Sequence, residues 1–231
     1  LGMMAKYWRA GRVKTRLADG CTSEIAAKIH ELSTRYLSHK LCKVAHSRTV
    51  FTSPDDRCDD MRLAVGDGWI VAPQGEGDLG LRMSRAFQSL MAPLGETSLA
   101  RDLAPTAAIL IGADLPTLTP TELEEAFSAL HQCDAVIGPA VDGGYYLIGL
   151  RGPWKVAYES LFESIPWSTE VVFDRTIEAF ERLGLEYRRL AIREDVDTFD
   201  DLRRLVESAT TPPELRDSIS KLFPPSTFRT I

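Results

Sequence analysis

Six charged side chains stand out by type and spacing: Arg12, Lys14 and Arg16 early in the chain, Asp114 in its middle, and Asp195 and Asp197 late. The three cations alternate through GRVKTRL, behind Gly11, which allows a tight backbone turn. Arginine grips a phosphate with two parallel bonds and lysine acts as a point charge, so the loop suits the phosphates of a nucleotide. It is not a Walker A loop, because the GxxxxGK[ST] spacing is absent. A solvated basic turn is the plain alternative. Asp114 closes the apolar run AAILIGAD, and Asp195 and Asp197 stand two apart in DVDT, so an extended backbone points both the same way. Hard divalent cations take carboxylate, phosphate and water oxygens. Three carboxylates brought together repel unless a cation lies between them. Asp114, Asp195 and Asp197 are therefore candidate ligands for Mg²⁺ or Mn²⁺. Their plain alternatives are an acid at a helix approach for Asp195 and a surface turn residue for Asp197.

Two further motifs carry weaker signals. In GPAVDGGYYLIGL, Gly143 and Gly144 allow close approach to a ligand, and Asp142 is suited to hold a sugar hydroxyl or to act as a base. An Asp-Gly hairpin turn explains the same residues. In GEGDLGLRM, Asp78 and Arg82 flank a helix start that favours an anion, with Asp78 as a simple N-cap as the alternative. His30, His39, His46 and His131 are scattered and read as structural.

These residues need a scaffold. Strands are expected at about Leu1–Ala5, Ser47–Ser53, Trp69–Gln74, Ala107–Asp114, Asp134–Ala140, Asp142–Leu150 and Glu186–Ile192. Helices are expected after Thr22 or Ser23, from Leu79, from a capping box at Thr119 with Pro120 and Glu122, from Val171 to Leu183 behind an opening Ser168, and after Thr198. The first cationic segment, Lys6 to Gly20, is expected to be a loop. Alternating strands and helices predict an α/β three-layer sandwich, and the adjacent strands near 135–150 make its mostly parallel sheet mixed. Ligands in such sheets bind beyond the carboxyl ends of the strands, where Asp114 falls. One domain is expected over 1–208, with a Pro-rich tail over 209–231 packed on the surface.

The chain has 231 residues, 44% of them apolar and 26% charged, with a formal net charge of −6. That fits a globular protein and argues against non-specific nucleic-acid binding, which needs a basic face. Cys21, Cys42, Cys58 and Cys133 form no CxxC pair and read as reduced thiols, which points to a cytoplasmic protein. No run approaches the roughly 20 apolar residues of a membrane span, and no signal-peptide pattern is visible. The chain opens on Leu1-Gly2-Met3-Met4, the second half of a strand, so residues upstream are expected.

The motifs occur in the order GRVKTRL, QGEGDLGLRM, GADLPTLTP, GPAVDGGYYLIGL, PWSTEVV, DVDTFDDL. That order, over residues 3 to 207, resembles the DUF2064 family, bacterial proteins often named glycosyltransferases and linked to radical-SAM or arsenosugar clusters. The layout is more distantly similar to 2-phospholactate guanylyltransferases. The resemblance implies the nucleotide-diphospho-sugar transferase (GT-A) fold. It implies a phosphate-binding loop at Gly11, Arg12, Lys14 and Arg16 and a metal held by Asp114 with Asp195 and Asp197; Asp78, Arg82, Gly143 and Gly144 join the nucleotide-binding candidates from their own motifs. Lys14 and Asp142 are the candidate catalytic groups. Two departures stand out: Tyr7, Trp8 and Arg9 replace the proline-bearing segment usual before the loop, and Gly112-Ala113-Asp114 has one acid where many glycosyltransferases carry DxD. The expected activity is metal-dependent glycosyl transfer from a nucleotide sugar to a small acceptor. Nucleotidyl transfer with pyrophosphate release is the rival, and a non-catalytic nucleotide-binding protein is the third reading.

Overall fold

The computed structural model describes residues 1–92, 106–224 and 227–228. Its sheet is built from β1 (Gly2–Lys6), β2 (Thr49–Ser53), β3 (Ile70–Pro73), β4 (Ala107–Gly112), β5 (Ala135–Pro139), β6 (Tyr145–Arg151) and β7 (Tyr187–Arg189). The strand order is β3-β2-β1-β4-β6-β5-β7. Strand β6 runs antiparallel to β4 and β5, while the other pairings are parallel. The mixed, mostly parallel sheet is the one expected.

Helices cover both faces, because the strands are apolar on both. Along β4, Ile109 and Ile111 join one buried cluster and Ala108 and Leu110 the other, as alternation in a strand requires. The first cluster packs α2 (Ser23–Lys40), α3 (Cys58–Val65) and α5 (Pro120–Ala129) through Leu37, Met61 and Leu123. The second packs α4 (Leu79–Leu90) and α6 (Val172–Arg182) through Phe87 and Phe180. Capping boxes form at Thr119 with Glu122 and at Thr198 with Asp201, the latter opening α7 (Phe199–Glu207). Helix α6 starts within one residue of the expected Val171, but Ser168 does not cap it. Ser168 sits at φ 65°, and Val171 is the N-cap without a side-chain bond.

Three elements were not visible as patterns. The end of GRVKTRL coils into a one-turn helix, α1 (Thr15–Ala18), because Leu17 is fully buried. Helix α3 has only Met61 and Val65 buried, too few for a clear stripe. The tail holds α8 (Pro213–Ser220), whose Leu215 and Ile219 complete a third cluster with Leu17, Ile29 and Leu202. That cluster seats α1 on α2 and α7, at the carboxyl end of β1. Gln74 ties the same rim together, its amide donating to the carbonyls of Phe51 and Ala5 at 2.9 and 3.3 Å. Among the described residues no helix is long and apolar enough to cross a membrane. The four cysteines are free.

Candidate active site

The loop after β1 turns at Gly11, φ 73°, and reaches α1 through Lys14, which caps that helix in the left-handed conformation, φ 49° and ψ 45°. A non-glycine residue there costs on the order of 1–3 kcal/mol, and such strain collects at functional sites. It aims the Lys14 side chain inward, where only 4% of it is exposed. The ammonium lies 2.6 Å from Asp114 Oδ1, 3.3 Å from Asp197 Oδ1 and 2.6 Å from the Val196 carbonyl, to which it donates.

Asp114 reaches this point because β4 ends at Gly112 and the chain then holds Asp114 at the rim between the buried side chains of Ala113 and Leu115. Its carboxylate is 44% exposed, but Oδ1 is buried. The Lys14 contact to that oxygen is a close ion pair lying off the line of a hydrogen bond. The Asp114 carbonyl accepts from Val196 N–H at 3.0 Å, so the segment before α7 is pinned by Asp114 on one side and Lys14 on the other. Asp197, 34% exposed, pairs through Oδ2 with Arg16 at 3.0 Å. Its backbone N–H donates to Asp201 Oδ2, which fixes it at the entry to α7.

The charges respond to one another. Burial works against the Lys14 ammonium, yet Asp114 first, then Asp197 and Asp195, outweigh it and hold its pKa above the usual value. Burial likewise pushes the Asp114 carboxyl up, but the Lys14 ammonium, with His30, pulls it well below the ordinary carboxylate range. Asp195 goes the other way: burial, then the neighbouring charge of Asp142, push it up to about 6. Asp195 has no ion pair among the described residues. Asp142 is exposed, and its Oδ1 accepts from Gly144 N–H at 2.9 Å.

One residue read as structural in the sequence borders the site. His30, on α2, is 6% exposed, and its Nδ1 lies 3.4 Å from Asp114 Oδ1. Its Nε2 is 2.9 Å from the Lys6 carbonyl, which only accepts, so Nε2 carries a proton and donates. Both Nδ1 and Asp114 Oδ1 are buried without a hydrogen-bond partner among the described residues. The position of His30 near the Ile25–Ile29 face of a helix was legible, but nothing local links it to residue 114.

The remaining candidates stand apart. Arg12 is exposed and makes no side-chain hydrogen bond or ion pair among the described residues. Asp78 caps α4, accepting from Leu81 N–H at 2.9 Å. The Arg82 Nε is buried without a partner among the described residues. No contact joins Asp78 or Arg82 to the acids among the described residues. The close approach at Gly143, φ 86°, is to the protein itself: a Cβ there would come within 2.0 Å of the Glu170 carbonyl oxygen. Two concavities of about 590 and about 640 Å³ are lined by neither Lys14 nor the four acids.

Carboxylates fit a hard divalent cation in donor chemistry, and the buried Oδ1 of Asp114 is met by the Lys14 ammonium in a close ion pair. In the arrangement seen, no three His, Cys, Asp or Glu side chains among the described residues are grouped to hold a metal. Lys14 Nζ stands between Asp114 and Asp197 instead.

A family model described as an uncharacterized protein conserved in bacteria (DUF2064) matches residues 37–169. The chain belongs to the DUF2064 family. The matched part of this DUF2064 chain contains Asp114 and Asp142, while Lys14, Asp195 and Asp197 lie outside it. Among solved structures, a protein of Desulfovibrio desulfuricans G20, provisionally named a nucleotide-diphospho-sugar transferase, shares 29% identity at a TM-score of 0.79. The match covers 96% of this chain and 94% of that one. The 4-diphosphocytidyl-2C-methyl-D-erythritol synthase of Anaerococcus prevotii DSM 20548 shares 13% identity at a TM-score of 0.52, covering 87% and 94%. The CMP:2-keto-3-deoxy-manno-octonic acid synthetase, complexed with CTP, shares 13% at 0.52, covering 88% and 95%. The last two establish likeness of fold. No curated protein matches the sequence.

Proposed function

We propose that this DUF2064 protein is a nucleotide-dependent transferase, moving a glycosyl group from a nucleotide sugar to a small acceptor. The observation that carries the reading is Lys14: a nearly buried ammonium at the carboxyl rim of the sheet, gathered with Asp114 and Asp197 from three distant parts of the chain. The name of the Desulfovibrio relative supports the same class. Arg12 and Arg16 flank Lys14 and supply the exposed cations that grip a diphosphate. Positioning and electrostatic stabilisation of the leaving diphosphate then account for most of the rate gain. A Mg²⁺ or Mn²⁺ ion held by Asp114 with Asp197, and Asp195 beside them, would supply Lewis-acid stabilisation of that leaving group. Asp142 lies beside Asp195 at one corner of the rim and is the acceptor-side group, where a hydroxyl is held and its proton taken.

Nucleotidyl transfer is kept as a second reading because the end of β4 carries a single acid, Asp114, instead of a DxD pair. The same cations serve, but the α-phosphorus is attacked and pyrophosphate leaves. Product analysis separates the two. With a panel of nucleotide sugars and small acceptors, glycosyl transfer releases nucleoside diphosphate. With nucleoside triphosphates and phosphorylated acceptors, nucleotidyl transfer releases pyrophosphate. A protein stabilised by nucleotide that releases neither fits the non-catalytic reading, and one that binds no nucleotide ends all three.

A further inference from the structure

We propose that the ammonium of Lys14 and a divalent metal ion are alternative occupants of the Asp114–Asp197 carboxylate pair, so that this cation site opens only when Lys14 is drawn off. The coordination of the ammonium motivates it. Lys14 Nζ is held by oxygens from two distant segments: Asp114 Oδ1 at 2.6 Å, Asp197 Oδ1 at 3.3 Å and the Val196 carbonyl at 2.6 Å. An all-oxygen shell of that kind is what a hard cation takes. The lysine side chain is covered, but its two acids keep exposed surface through which an ion from solvent reaches them.

A second observation points into the same spot. The ring of His30 is buried, and its partnerless Nδ1 faces the Asp114 oxygen that Lys14 approaches. With Nε2 committed to the Lys6 carbonyl, Nδ1 is the free edge of the ring. The pocket wall thus presents an unused polar atom beside an oxygen that makes no aligned hydrogen bond. Charge completes the case. Asp114, Asp142, Asp195 and Asp197 gather at this rim against Lys14 and Arg16, so the acids outnumber the cations. Two cations cannot share one pair of oxygens in a half-buried site without strong repulsion. Occupancy is therefore exclusive, and the ion enters as the lysine leaves.

The motion asked for is that of the Lys14 side chain. Gly11, where a Cβ would meet no atom within 4 Å, and exposed Arg12 lie on the solvent side of the loop, while buried Val13 and Leu17 hold its backbone. An anionic phosphate bound by Arg12 and Arg16 would draw Lys14 outward. That last clause rests on the transferase reading, whereas the exchange itself does not.

The test measures Mn²⁺ binding to the 231-residue chain without nucleotide, from the electron paramagnetic resonance signal of free Mn²⁺. Lys14→Gln should bind Mn²⁺ about tenfold or more tightly than the parent, because the competing charge is gone. Lys14→Arg keeps the charge and should stay at the parental level. A Lys14→Gln protein no tighter than the parent overturns the proposal. If Lys14→Gln does not fold, the parent supplies the readout: acetic anhydride labelling of the Lys14 amine, followed by peptide mass spectrometry. Labelling should rise several-fold as Mn²⁺ saturates, and unchanged labelling with Mn²⁺ bound overturns the exchange. Capture of Mn²⁺ by Lys14→Gln in a protein that binds no nucleotide leaves the exchange standing and removes the transferase reading. Nucleotide binding with no lysine effect on Mn²⁺ does the reverse.

Discussion

Lys14 and Arg12 stand two residues apart on one loop, yet they meet opposite fates. The Lys14 side chain turns inward and is locked among Asp114, Asp197 and the Val196 carbonyl. Arg12 faces solvent and pairs with nothing among the described residues. Arg16 lies between these extremes, 65% exposed but paired with Asp197. One half of the rim is thus set by contacts within the protein before any ligand arrives, and the other half offers charge still free to engage one. Preset contacts give geometry. Free charges give capture, and they are screened by salt where the preset ones are not.

The widest separation between the two halves should appear on Lys14→Met. Turnover in the product assay should fall about a hundredfold or more, as when a preorganised electrostatic group is lost. A variant retaining a tenth of its activity would show the locked half to be scaffolding. Gly143→Ala comes next, because its Cβ collides with the Glu170 carbonyl at a positive φ. A loss of about 2–3 kcal/mol, or a fall of roughly 5–10 °C in Tm, is expected by circular dichroism. An unchanged melt would show that the Asp142–Gly144 turn yields to its neighbour.

Arg12→Ala sharpens the contrast from the free side. Its Kd for CDP or UDP should rise about tenfold by calorimetry, with less penalty at high salt, while stability changes by less than about 0.5 kcal/mol. Asp195→Asn probes the acceptor corner through pH. The folded pKa of Asp195 is raised from 3.8 to about 6, so between those values the folded chain keeps a proton that the unfolded chain has released. The parent therefore loses stability as pH rises through this window, and Asn abolishes that loss. Urea midpoints should show the variant gaining on the parent from pH 4 to pH 7. Asp78→Ala, the mildest change, removes the cap of α4 and should cost about 1 kcal/mol while leaving nucleotide affinity unaltered. A weaker nucleotide Kd would place Asp78 on the capture side.

Much of this arrangement was legible before any coordinates. The apolar run closing on Asp114 announced a central strand with both faces covered, and the capping boxes at Thr119 and Thr198 fixed two helix starts. The alternating cations and the DVDT acids pointed to one rim because strand ends converge there. What escaped notice depends on contacts that no local period encodes. His30 meets Asp114 across 84 residues of chain, and α1 forms because Leu17 finds a cluster completed by Leu215 and Ile219. The plain alternatives for Asp197 and Asp78 also came apart only in three dimensions. Asp197 holds two cations, whereas Asp78 serves its own helix.

The third buried cluster has a bearing on biogenesis. The turn that carries Lys14 is set on α2 and α7, and α8 closes that cluster from the far end of the sequence. Translation delivers the first strand early and α8 late. A nascent chain therefore exposes Leu17 and Ile29 until Leu215 and Ile219 arrive, and a ribosome stalled before that point would hold an enzyme with its sheet paired but its lysine not yet seated.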